Sequence, residues 1–199
     1  MLNWLTENEK ICFIGDFNKN YWLQNYTDEL EKMTFVTDEV SESIKSNYVV
    51  TFIANKEKNV LTFFYDSQTK IEIEIKKGSI DECADRIINC GCGLVGMDIY
   101  DLVCILNVGK EASSYYGELT VSEIKQLQKY YQSKVGIYLI IHAPVATTLE
   151  EADLISTEIA DLCDSNTNVL WNVLFEKWRS EYGCDLFISG AELSENLKK

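Results

Sequence analysis

The run VGIYLIIHA at residues 135–143 constrains the fold most. It shows no polar alternation, which is how a strand covered on both faces reads, and it stops at the chain's only proline, Pro144. Such a strand needs a layer on either side, and the flanking sequence offers them. Before it, Thr120 and Glu123 form a capping box for a helix in VSEIKQLQKYYQS. After it, Thr147 and Glu150 are spaced to cap a helix over LEEADLISTEIADLC, with Leu149, Ala152, Ile155, Ile159 and Leu162 as its apolar stripe. NVLWNVLF (168–175) and CDLFISG (184–190) read as closing strands. The second half is therefore helix–strand–helix–strand–strand, an α/β layer.

The first half is richer in strands. ICFI at 11–14 is a short buried strand, YWLQNYTDELEKM at 21–33 a helix, and FVTDEV at 35–40 a brief strand and turn. SESIKS at 41–46 reads as a short helix feeding the strand YVVTFIA, 48–54. VLTFFYD (60–66) and KIEIEI (70–75) flank a turn and form a hairpin; the strict alternation of KIEIEI predicts one wet face. Ser79 and Glu82 form a capping box for a helix over 80–89, which CGCG at 90–93 ends. A further helix is expected over 101–115, stopped by Gly117, with Leu102, Ile105, Leu106 and Val108 on its buried side.

At the start of that helix stands GMDIYDL, residues 96–102, with Asp98 and Asp101 three residues apart. Carboxylates there are favoured by unpaired N–H groups and the helix dipole, so an N-cap and a solvated charge are one reading. The other is chemical, because paired carboxylates can orient a water or hold a metal.

The 199 residues carry 32 acids against 18 bases, a net charge of −14 that makes nucleic acid and anionic membrane poor partners. No window holds eighteen apolar residues, and the start MLNWLTENEK lacks the basic and apolar regions of a signal peptide. Seven scattered cysteines, an odd number, point to a reduced, cytoplasmic protein. Cys83, Cys90, Cys92 and Cys104 lie near one another, but C-x-C at 90–92 misses the usual zinc spacing, so buried structural thiols are expected over a metal or redox role. His142, the sole histidine, falls inside the buried run and reads as a satisfied core or strand-end residue. Lys56 and Lys58 suit a solvated hairpin loop better than a phosphate site, Trp171, Phe175 and Trp178 suit packing, and Tyr115 and Tyr116 at a helix end suit either packing or a partner contact.

Two of these stretches resemble the FtsZ/tubulin superfamily. Residues 136–190 follow the order of the FtsZ C-terminal domain: GIYLIIHA, a helix opening with TLEE at 148–151, then NVLWNVLF and CDLFISG. GMDIYDL resembles the family's synergy loop, N-x-D-x-x-D-L, with Gly96 in place of the asparagine, and helix 80–89 resembles the end of the central helix. In that family the loop faces the nucleotide of the next subunit, and its aspartates orient the water that attacks GTP. The resemblance thus marks Asp98 and Asp101 as the catalytic-type residues. The first half departs from the pattern. Only Gly15 stands where a glycine-rich loop belongs, and NKEKN (55–59) replaces the G-G-G-T-G-x-G signature whose glycines let N–H groups approach phosphate.

The expected protein is α/β, a reduced FtsZ/tubulin-like body. An N-terminal lobe (1–78) is joined by a central helix, synergy-like loop and following helix (79–117) to a C-terminal domain (118–199). It is expected to have no nucleotide site, cofactor or metal of its own. It would bind or regulate an FtsZ/tubulin-like protein, or itself. Two alternatives are half of a GTPase site acting in trans through Asp98 and Asp101, and an unrelated acidic, inhibitor-type binding module.

Overall fold

The computed structural model describes residues 5, 9–37, 48–66, 69–90, 97–107, 112–131 and 136–189. The helix expected at 41–46, Cys92, Gly96 and Val108 lie outside them. Nine strands form one hydrogen-bonded sheet in the order β2-β1-β3-β4-β5-β6-β9-β7-β8. The strands are β1 (Ile11–Gly15), β2 (Met33–Val36), β3 (Val50–Asn55), β4 (Val60–Tyr65), β5 (Thr69–Lys77), β6 (Ser113–Leu119), β7 (Gly136–Pro144), β8 (Asn168–Glu176) and β9 (Gly183–Ser189). The helices are α1 (Lys19–Asn25), α2 (Ile80–Ile88), α3 (Ile99–Asn107), α4 (Val121–Gln126), α5 (Gln128–Tyr131) and α6 (Leu149–Ala160). The protein is α/β with a mixed sheet, as the patterning implies.

Side-chain alternation sorts the core into two layers. Ile11, Phe13, Phe52, Leu61, Phe63, Ile71, Ile73 and Ile75 join α2, α3, Tyr138, Ile140 and Phe187 in a cluster along one face. Ile137, Leu139, Ile141, Ala143, Leu186 and Ile188 turn the other way, against Ile124 of α4 and Ala152 and Ile159 of α6. The apolar run of β7 is thereby explained: both its faces are covered. The expected hairpins form, β3 with β4 and β4 with β5, all antiparallel.

Four expectations need correction. Among the described residues the helix expected over 101–115 runs Ile99–Asn107, and Ser113–Leu119 is a strand, parallel to β5 and antiparallel to β9. Long-range pairing overrides local pattern here, since Ser-Ser-Tyr-Tyr suits a strand between two others. Tyr115 is consequently buried, not a surface contact. The helix over 21–33 breaks at Tyr26 into a 3-10 turn, Thr27–Lys32, and Met33 already belongs to β2. Trp22 and Tyr26 anchor the break by donating to Asp81 and Asp85, one turn apart on α2.

The third correction is a cap. Thr148 and Glu151, not Thr147 and Glu150, make the capping box of α6; Ala152, Ser156 and Ile159 are buried while Leu149 is exposed. Finally, Phe175 and Trp178 are exposed, not packed; Trp178 is 75% exposed, stacked on the Arg179 guanidinium at 4.6 Å. The capping boxes at Ser79/Glu82 and Thr120/Glu123 form as expected.

Candidate functional site

Asp98 and Asp101 meet at the start of α3. The Asp101 N–H donates to Asp98 Oδ1 at 3.0 Å, and the Asp98 N–H donates to Asp101 Oδ2 at 3.1 Å. This is a reciprocal cap, the acidic version of a capping box, and it satisfies two backbone donors the helix cannot. Both residues are exposed, whereas Met97, Ile99 and Leu102 around them are buried, so α3 is fixed against β5, β7 and β9 while its leading corner stays wet. Among the described residues no lysine or arginine pairs with either carboxylate. The cap uses one oxygen of each.

The second constellation is charged and mostly buried, and no local motif announces it. His142, wholly buried on β7, faces a carboxylate on each side: Nε2 lies 2.8 Å from Asp185 Oδ2 and Nδ1 3.0 Å from Glu176 Oε1. Arg86 Nε of α2 donates to the same Asp185 Oδ2. Arg179, in the turn after β8, donates from Nε to Glu176 Oε2 at 2.6 Å and from its terminal nitrogen to Glu118 at 3.0 Å. Glu118 lies 3.9 Å from Arg86, and its backbone N–H donates to Asp185 Oδ1 at 2.7 Å. The ring Arg86–Asp185–His142–Glu176–Arg179–Glu118 therefore closes on itself, tying α2 to β6, β7, β8 and β9.

Backbone conformation serves this ring in two places. Glu118 has φ 48°, a left-handed conformation costly for a non-glycine residue, at the register shift between Tyr116 and Leu119 that aims its N–H at Asp185. Gly183 leaves room for Arg179, because a Cβ there would strike its guanidinium. Burial opposes ionisation of Asp185, but the bond from His142, the Arg86 charge and the Glu118 N–H outweigh it and hold its carboxyl below the usual range. Burial likewise opposes Glu176, and the bonds from Arg179 and His142 hold it low. His142 is thus a buried strand residue with a carboxylate partner on each of two neighbouring strands, Glu176 of β8 and Asp185 of β9.

Cys83 and Cys90 fit buried structural thiols, whereas Cys104 on α3 is exposed. Cys12, Cys83, Cys90 and Cys184 are buried; burial pushes Cys12 up to about 11 and Cys184 up to about 12. Lys56 and Lys58 lie in the exposed β3–β4 turn, where the Lys58 N–H donates to Asn55 Oδ1.

Fold and corner together define an α/β protein on a nine-stranded mixed sheet, with a capped, exposed carboxylate pair at one helix start. No known protein family matches the chain by sequence, nor does any curated protein. Solved structures similar to it include a mutant FtsZ from M. jannaschii, 17% identical over 60% of this chain and 47% of that one, with a TM-score of 0.42. An empty FtsZ dimer from M. jannaschii is 20% identical over 54% of this chain and 38% of that one, with a TM-score of 0.38. The chain spans less than half the length of these FtsZ chains. Among the described residues no helix is long and apolar enough to cross a membrane.

Proposed function

We propose that this chain is a protein-binding, FtsZ-like body without a nucleotide site of its own. It docks on a polymerising FtsZ- or tubulin-like partner, or on a second copy, through the Asp98/Asp101 corner. The observation that carries the reading is the reciprocal cap. It holds two exposed carboxylates in one geometry, with no lysine or arginine among the described residues paired to them, at the position where GMDIYDL resembles the synergy loop. The β3–β4 connection adds support: it is a tight turn across the Asn55–Val60 pair, where the resemblance would require a glycine-rich phosphate cradle. A body with one such face joins one end of a filament, since head-to-tail growth needs two complementary faces. It therefore caps or regulates assembly.

The test uses Asp98→Asn with Asp101→Asn. Amide oxygens still accept the two capping bonds, so the double variant loses the charge and keeps the helix start. Polymer length and GTP turnover of FtsZ from the same source are measured with and without the chain. The wild type is expected to shorten polymer or alter turnover, and the variant to do neither while melting unchanged. Binding retained with stimulated turnover lost assigns the pair to catalysis in trans instead. A wild-type chain that is without effect on FtsZ in both assays and stays monomeric in sedimentation sinks the proposal.

A further inference from the structure

His142 stands between two groups that only accept. An ionised carboxylate has no hydrogen to offer, and a neutral imidazole has one N–H and one bare nitrogen. With Asp185 Oδ2 at 2.8 Å from Nε2 and Glu176 Oε1 at 3.0 Å from Nδ1, the neutral ring makes one bond and points a lone pair at the other carboxylate. Only the doubly protonated ring makes both. It also balances the six-membered ring: Arg86, His142 and Arg179 then alternate with Asp185, Glu176 and Glu118.

We infer that His142 is a proton-dependent joint: the imidazolium closes this ring and holds the Glu176–Arg179 corner of β8 to β7 and β9, and loss of one ring proton opens it. Charged and titratable groups reach this ring from the elements packed against β7 or the ring itself. From β9 comes Asp185, from the end of β8 Glu176, and from the turn beyond it Arg179. From α2 come Arg86, with Asp85 at 3.2 Å from it, and the buried thiol Cys83; from β6 come Glu118 and the buried phenol Tyr115. α3 and α6 also pack on β7, but Asp98, Asp101, Glu150, Glu151, Asp153 and Glu158 are exposed. The low-held carboxyls of Asp185 and Glu176 supply the three-against-three balance.

The sign is opposite for the two kinds of group. The carboxylates stabilise the fold above the ordinary carboxylate range, and that contribution fades as pH falls through their lowered values. The two bonds of the imidazolium need both ring protons, so their contribution fades as pH rises. The alkaline limb is therefore the readout.

Because His142 is the sole histidine, nitrogen-15 NMR of the full chain labelled at histidine reads it without ambiguity. Spectra are recorded from about pH 5 to about pH 8, the interval in which an unperturbed histidine changes charge. Two protonated ring nitrogens in the folded protein at neutral pH are expected; one protonated and one bare nitrogen there overturns the inference. In parallel, the melting temperature should drop by several degrees as pH rises through the loss of the ring proton. Glu176→Gln should remove that drop, because its amide N–H can donate to a bare Nδ1. An alkaline drop of the same size in both proteins overturns the inference.

Discussion

β5 and β7 are both nine residues long and both lie inside the same sheet, yet they solve different problems. On β5, Ile71, Ile73 and Ile75 all face the α2–α3 layer. The opposite side carries Glu72, paired with Lys70 at 2.7 Å, and Glu74, paired with Lys76 at 2.6 Å. That side borders a cleft of about 270 Å³ lined by Asn55, Lys58, Thr62, Glu72 and Glu74. On β7, Tyr138 and Ile140 face one apolar layer while Ile137, Leu139, Ile141 and Ala143 face another. A strand with one polar face can leave charges near water, as Lys70 and Lys76 are, and bury only Glu74, which Lys76 pairs. A strand covered twice cannot, and the imidazole that β7 does bury is surrounded by partners. The charge ring supplies the partners that burial of a polar side chain such as His142 requires.

The largest expected effect comes from breaking that ring. Arg86→Met keeps the bulk of the side chain but strips the wholly buried Asp185 of its guanidinium. Removing one member of a buried ion pair costs about 3–5 kcal/mol, because the other is left uncompensated. Denaturant unfolding at neutral pH should show a loss of that size. A loss below about 1 kcal/mol, the worth of an exposed ion pair, means the ring is solvated and β7 is no different from β5 in this respect.

Next comes the apolar second face of β7. Leu139 is wholly buried against the α4–α6 layer, so Leu139→Ala should cost about 2–5 kcal/mol by the same measurement. If the cost is under about 1 kcal/mol, the second layer is loosely packed and the contrast between the strands weakens.

This contrast was legible in the sequence because it is a matter of period. VGIYLIIHA without alternation and KIEIEI with it report two faces and one face directly. The caps at Ser79/Glu82 and Thr120/Glu123 were legible because their chemistry is local. At TTLEE, residues 147–151, two Thr-x-x-Glu frames coexist, and only the burial of Ala152, Ser156 and Ile159 selects Thr148 with Glu151. β6 was hidden because its neighbours β5 and β9 are distant in sequence, and its serines give no apolar alternation. The charge ring was hidden for the same reason: its six members come from five segments spread between residues 86 and 185. The one available signal was a histidine and an aspartate inside two apolar strands, since buried polar groups need partners. At Asp98 and Asp101 sequence and structure agree on the cap, while the binding role proposed for them draws on the exposed oxygens the cap leaves over.

The smallest expected effect is the sharpest test of the comparison, because it asks whether the second face of β5 is as bare as its polar residues imply. Glu72 is half-buried, and its partner Lys70 is exposed. An ion pair in that setting is worth at most about 1 kcal/mol, and most surface substitutions fall within about 0.5 kcal/mol. Glu72→Ala should therefore shift the unfolding free energy by no more than about 0.5 kcal/mol, roughly a tenth of the Arg86→Met effect on the same sheet. Alanine lowers strand propensity little relative to glutamate, so a larger loss has no local source. It would mean that something packs on this face, and that β5, like β7, is a strand covered on both sides.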